Sequence, residues 1–210
     1  MHPALMHDIG TKFVDGGGSD NVSTSNTTSV TTADKERTIK RVYLACTRTY
    51  DVNKSAYSYH WRLFFELNLP VAVGDLDEQY LSRRASIELH VTLLSKATGL
   101  ANTIAISRPY DLTRNPIATK FWDIVGEGWT VADMLTLVIQ DKKRYKFRFD
   151  VASGSGCANW CITVLGDIEE AGRLSGGVKK TAEEFVDNTA REINDERGMP
   201  LVSPKGIFYD

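Results

Sequence analysis

The chain has 210 residues and a formal net charge of −2, with 42% hydrophobic and 25% charged residues. That suits one ordinary globular domain plus a tail. Such a near-balanced charge excludes a general electrostatic pull toward DNA or RNA. No run approaches the roughly 18 apolar residues of a membrane span. The start, Met1 to Asp8, lacks the basic and apolar regions of a signal peptide, so a cytoplasmic, reducing location is expected.

Residues 1–37 read as a disordered tail, rich in Gly, Ser and Thr and poor in large apolar groups. A single domain is expected over 38–210. Arg41 to Thr47 alternates, with Val42, Leu44 and Cys46 on one face, and predicts a first strand. Tyr59 to Leu67 is aromatic-rich and strand-like, with His60 at its start. Ser86 to Leu93 alternates cleanly: Ile87, Leu89, Val91 and Leu93 face one way, and Ser86, Glu88, His90 and Thr92 the other. Asn102 to Ser107 predicts a weaker strand, ended by Arg108-Pro109. A helix opens at Thr130, with Asp133 at the capping-box position. Val131, Met134, Leu135, Val138 and Ile139 form its buried stripe. Lys142-Lys143-Arg144 closes it as the helix dipole prefers. A strand over 145–149, a helix from Cys157 to about Ala171, a helix near Thr181 to Ile193 and an edge strand at Gly206 to Tyr209 complete the chain. Strands first and helices later predict an α+β fold, an antiparallel sheet packed by two or three helices.

The chemistry points to Ser153-Gly154-Ser155-Gly156-Cys157-Ala158-Asn159-Trp160. Glycines allow a sharp turn, and Ser155 is the expected N-cap. Cys157 would then stand in the first helical turn, where free amides and the dipole favour a thiolate. A thiol nucleophile needs a base and a group that orients it. His60 is the expected base, and His90 the third group or a substrate contact, with Glu88 on the same face. Ser153, Ser155, Gly156, Asn159, Trp160 and Trp61 are the expected substrate contacts. Cys161, one turn deeper, reads as core. Gly154-Ser155-Gly156 is an incomplete nucleophile elbow, since position 153 is Ser. As a phosphate cradle, the turn lacks the P-loop Lys and the third glycine of a dinucleotide site. The three cysteines imply no disulfide framework, and Cys157 and Cys161 are not spaced as zinc ligands. No metal or cofactor is expected.

An early-strand histidine, a sheet, and a Cys opening a late helix resemble the circularly permuted papain-like proteins of the lecithin retinol acyltransferase, PPPDE and NlpC/P60 type. That resemblance spans about residues 40–172 and implies Cys157 as nucleophile, His60 as base and His90 as the third polar group. The chain departs from it at the residue before the Cys, Gly156 rather than Asn, and in a longer loop before the Cys. Ser153-Gly154-Ser155-Gly156-Cys157-x-x-Trp160, with His60-Trp61, is also similar to a group of small fungal proteins near secondary-metabolite genes. That implies acyl or aminoacyl chemistry on a small molecule or peptide. Fungal cyclodipeptide synthases, which use aminoacyl-tRNA, are a further similar group and would make tRNA a partner. The opposing expectation is a non-catalytic α+β ligand-binding protein.

Overall fold

A long antiparallel strand pair forms the centre of the molecule. The computed structural model describes residues 25–51, 56–68, 85–153, 155–195 and 205–209. Strand β1 (Ser25–Ser29) and a single helical turn, α1 (Thr32–Lys35), come first. Then follow β2 (Ile39–Asp51), β3 (Ala56–Leu67), β4 (Ser86–Leu93), β5 (Ala101–Arg108) and β6 (Ala118–Asp123). Helix α2 (Val131–Leu135) runs directly into a π-helical segment, Thr136–Asp141. Strand β7 (Phe147–Arg148), helices α3 (Cys157–Glu170) and α4 (Val178–Asp195) and strand β8 (Ile207–Phe208) close the chain. The main sheet has the order β1-β5-β4-β3-β2-β6. Its neighbours are antiparallel except β1, which lies parallel to β5. The fold is α+β, as the order of elements predicts.

Two expectations are corrected, and one strand is added. The structured chain starts before Thr38: β1 joins the sheet edge through backbone bonds that need no apolar side chains. Thr31 then caps α1 by accepting from the Asp34 amide. Residues 1–24 lie outside the described residues. Strand β3 begins at Ala56, paired with Asp51, so His60 stands within a strand and not at its start. Strand β6 is the third difference, an edge strand whose alternate residues are exposed.

All the helices that build the core pack on one face of the sheet. Val42, Leu44, Cys46, Trp61, Leu63, Phe65, Ile87, Leu89 and Val91 form one cluster with Val131, Met134, Val138, Trp160, Cys161, Val164, Leu165 and Ile168. Each fully buried large side chain contributes about 1.5–3 kcal/mol. The Thr130–Asp133 capping box starts α2 as the sequence predicts. By strand alternation, Tyr43, Thr47, His60, Arg62, Glu88 and His90 project from the opposite face.

The sheet is incomplete at one place. Between β3 and β4 the ladder joins only Leu63–Glu66 to Ser86–Leu89. Strand β3 extends back to Ala56 and β4 on to Leu93 without pairing there. The Leu67 amide donates to Ala85 O, so the odd-numbered amides of β3 point toward β4. Trp61 N–H therefore points into the opening, against which α3 packs.

Candidate functional site

The turn before α3 is organised by Asp150. Its Oδ2 accepts from Ser153 N (2.8 Å) and Ser153 Oγ (2.6 Å). Ser155 N donates to Ser153 Oγ (3.2 Å), and Asp150 N donates to Ser155 O (2.9 Å). Ser155 is thus part of the turn and not the helix cap. The cap is Gly156, at φ 146°, with no side-chain hydrogen bond. A Cβ there would lie 3.0 Å from Phe147 Cζ and 3.2 Å from Gly206, so both backbone angle and space require glycine.

This cap sets Cys157 at the first position of α3, half-buried, beside the opening in the sheet. Burial raises its thiol pKa above the ordinary value. The backbone amides of Trp61, Ala158 and Cys157 itself, together with the Arg62 charge, act in the other direction. Helix start and unpaired strand edge therefore aim donors at one sulfur. Cys161 and Cys46 are fully buried, and burial pushes the Cys46 thiol up to about 12.

On the opposite face the two strand histidines meet. His60 Nε2 and His90 Nδ1 are 2.8 Å apart, with the rings nearly edge to face. His90 Nε2 lies 3.7 Å from Glu88 Oε1, an electrostatic contact longer than a hydrogen bond. A proton on that Nε2, facing the carboxylate, leaves His90 Nδ1 as acceptor and His60 Nε2 as donor. The free lone pair is then on His60 Nδ1. Both rings are held neutral. Burial, then the neighbouring His90 and Arg62, lowers His60 to about 3. Burial, then Arg62 and Arg108, lowers His90 to about 4.

Glu88 is 1% exposed and accepts from Arg62 Nη1 (2.8 Å) and Arg108 Nε (2.5 Å). Its expected part as a direct substrate contact is therefore corrected: it is sealed under two guanidinium groups. Trp160 is also corrected. It is fully buried, donating its indole N–H to Arg144 O (2.7 Å), because it lies on the inner stripe of α3. Trp61 is 7% exposed and packs edge-on against Phe185 on the helix face. Asn159 is half-buried and lines a cavity of about 200 Å³ with Gly156, Ala158, Ile162, Val186 and Lys205, beside the thiol and not over it. Ser153 is exposed on the turn.

The structure brings His60, His90 and Glu88 together on one face and places Cys157 at the break in the sheet. Among the described residues, neither imidazole hydrogen-bonds to Cys157. No group of three or more His, Cys, Asp and Glu among them could hold a metal ion, and no helix among them is long and apolar enough to cross a membrane. Two members of the polar cluster, Arg62 and Arg108, escape a search for nucleophiles and bases. Arg62 is recoverable from its i+2 spacing to His60 on a strand. The basic run is occupied: Lys142 binds Glu170 (2.9 Å), and Arg144 forks onto Asp167 (2.6 and 2.7 Å).

Neither a curated protein nor a solved structure matches this chain. A family model described as a domain of unknown function, DUF7770, matches residues 42–209, from the first core strand through β8. The matched span holds every residue of the site just described, and the chain belongs to the DUF7770 family.

Proposed function

We propose that the chain is a thiol-dependent hydrolase or acyl or aminoacyl transferase acting on a small molecule or peptide. Cys157 is the nucleophile and His60 the base, the roles that the resemblance to the permuted papain-like proteins implies. The observation that carries this reading is the place of Cys157, first residue of a helix, beside the unpaired stretch between β3 and β4. Burial favours the neutral form of both the thiol and the imidazoles. The resting pair is therefore thiol and imidazole, and the proton moves during attack and not before it. As Sγ bonds to the substrate carbonyl carbon, the thiol proton passes to His60 Nδ1. His90, facing Glu88, fixes the tautomer. The amides at the helix start then stabilise the oxyanion. Collapse expels the leaving group with the proton from His60, and water or an acceptor resolves the thioester. Because His60 projects from the face opposite α3, this sequence requires His60 Nδ1 and Cys157 Sγ to meet through the opening between β3 and β4 around bound substrate.

The test is acylation by 4-nitrophenyl acetate, followed by intact mass and peptide mapping. One acetyl group on Cys157 is expected, absent in Cys157→Ala and slowed about 10²- to 10⁴-fold in His60→Ala. Acetylation at other sites only, or a rate indifferent to His60, would overturn the proposal. An unacylated Cys157 would favour the non-catalytic reading.

A further inference from the structure

The charges on the polar sheet face do not cancel at its imidazole end. Lys40 and Arg41 are matched there by Glu66 and Asp123. Around His60 and His90, by contrast, Arg62 and Arg108 both pair with the same carboxylate, Glu88. Each guanidinium gives one bond to a different oxygen of Glu88, so among the described residues two positive charges face one negative charge. The donors are also incompletely used. Arg62 gives Nη1 to Glu88 and Nη2 to Thr47 Oγ1 (3.3 Å), while its Nε is buried with no hydrogen-bond partner. Arg108 gives Nε to Glu88, and its terminal nitrogens take no hydrogen-bond partner among the described residues. Arg62 Nε is itself closed to solvent, but the two side chains are 24% and 31% exposed, so a ligand can reach their open parts. Ile104 and Ile106, opposite His90 and Glu88 in β5, lie on the same face and are partly exposed.

We propose that Arg62 and Arg108, clamped by Glu88, form a carboxylate-binding subsite beside His60 that selects acyl groups ending in a second carboxylate. Their planar guanidinium groups match a carboxylate. Ile104 and Ile106 supply an apolar wall for a short methylene chain. The substrate class is thus a monoester, thioester or amide of an aliphatic dicarboxylic acid. The anion subsite stands on the arginines alone; its link to catalysis rests on the acyl-transfer reading above.

Two measurements on the full chain separate these claims. The first is calorimetric titration of Cys157→Ala with adipate and with hexane-1,6-diol, its uncharged counterpart. Adipate is expected to bind and the diol not. Arg108→Gln should weaken adipate binding about tenfold or more, the loss of a hydrogen bond to a charged group. Arg108→Lys, which keeps the charge, should retain part of it. The second compares acylation of Cys157 by the mono-4-nitrophenyl ester of adipic acid and by 4-nitrophenyl hexanoate. The wild-type chain should prefer the adipate ester, and the preference should fall toward unity in Arg108→Gln. Adipate binding that depends on Arg108, without acylation by either ester, upholds the subsite and removes the acyl-transfer reading. Equal acylation by both esters, with adipate bound no better than the diol, removes the subsite and leaves the enzyme. If Arg108→Gln does not fold, the adipate–diol contrast and Arg108→Lys decide the matter.

Discussion

Lowering the pH from about 7 to about 5 should destabilise this fold through His60 and His90 before its carboxylates take part. An unperturbed histidine titrates near 6.5, whereas burial lowers His60 to about 3 and His90 to about 4. Between those values the unfolded chain binds protons that the folded chain refuses, so stability rises with pH in this window. It is fully present above about pH 6.5 and is lost as the pH falls toward the folded values. At about pH 5 an unfolded histidine lies roughly 1.5 units below its pKa, which costs about 2 kcal/mol per ring. One ring can accept a proton and still donate to its neighbour across the 2.8 Å contact, but two protonated rings cannot. The expected loss is therefore about 4 kcal/mol if the folded pair refuses both protons and about 2 kcal/mol if it takes up one. The depressed carboxyl groups of Asp133 and Glu170 lose their contribution only at lower pH. Urea unfolding at both pH values, for wild type and for His60→Gln with His90→Gln, provides the assay. The double variant should lose most of the difference. Equal pH dependence in both proteins would refute neutral burial of the imidazole pair.

Two further outcomes follow from packing. Arg144→Ala removes the forked partner of the Asp167 carboxylate, only 3% exposed, and leaves it Lys142 Nζ at 3.8 Å, so it should cost up to about 3 kcal/mol in urea unfolding; a loss below about 1 kcal/mol would mean that Lys142 takes over the pairing. Gly156→Ala places a Cβ against Phe147 and Gly206 at a positive φ, so it should destabilise by about 1–3 kcal/mol. The same change should alter iodoacetamide labelling of Cys157, and unchanged stability and labelling would contradict the cap geometry.

Much of the scaffold is legible in the sequence because single side chains report it. Alternation marks β2, β4 and β5, and Thr130 with Asp133 marks the start of α2. The Gly156-Cys157 helix start is likewise local. Strands β1 and β6 escape notice for a shared reason: each is an edge, held by backbone bonds, and neither carries a two-sided apolar pattern. The site is legible only in its parts. That Glu88 and His90 share a face follows from spacing within one strand. That His60 reaches His90, and that Glu88 is roofed by Arg62 and Arg108, depends on register between β3, β4 and β5, which no local signal encodes. Trp160 misleads because an aromatic one turn into a helix can face either cleft or core; its indole bond to Arg144 O decides for the core.

The interrupted ladder between β3 and β4 bears on how the two halves of the sheet are coupled. Strands β6, β2 and β3 form one plate and β4, β5 and β1 another, and only Leu63–Glu66 with Ser86–Leu89 rivet them together. Past that short seam, spacing is set by what is wedged or strung across it: the head of α3 on one side, and the imidazole contact and Arg62–Glu88 bridge on the other. Side chains from both faces thus border the one stretch where these two strands share no backbone bonds.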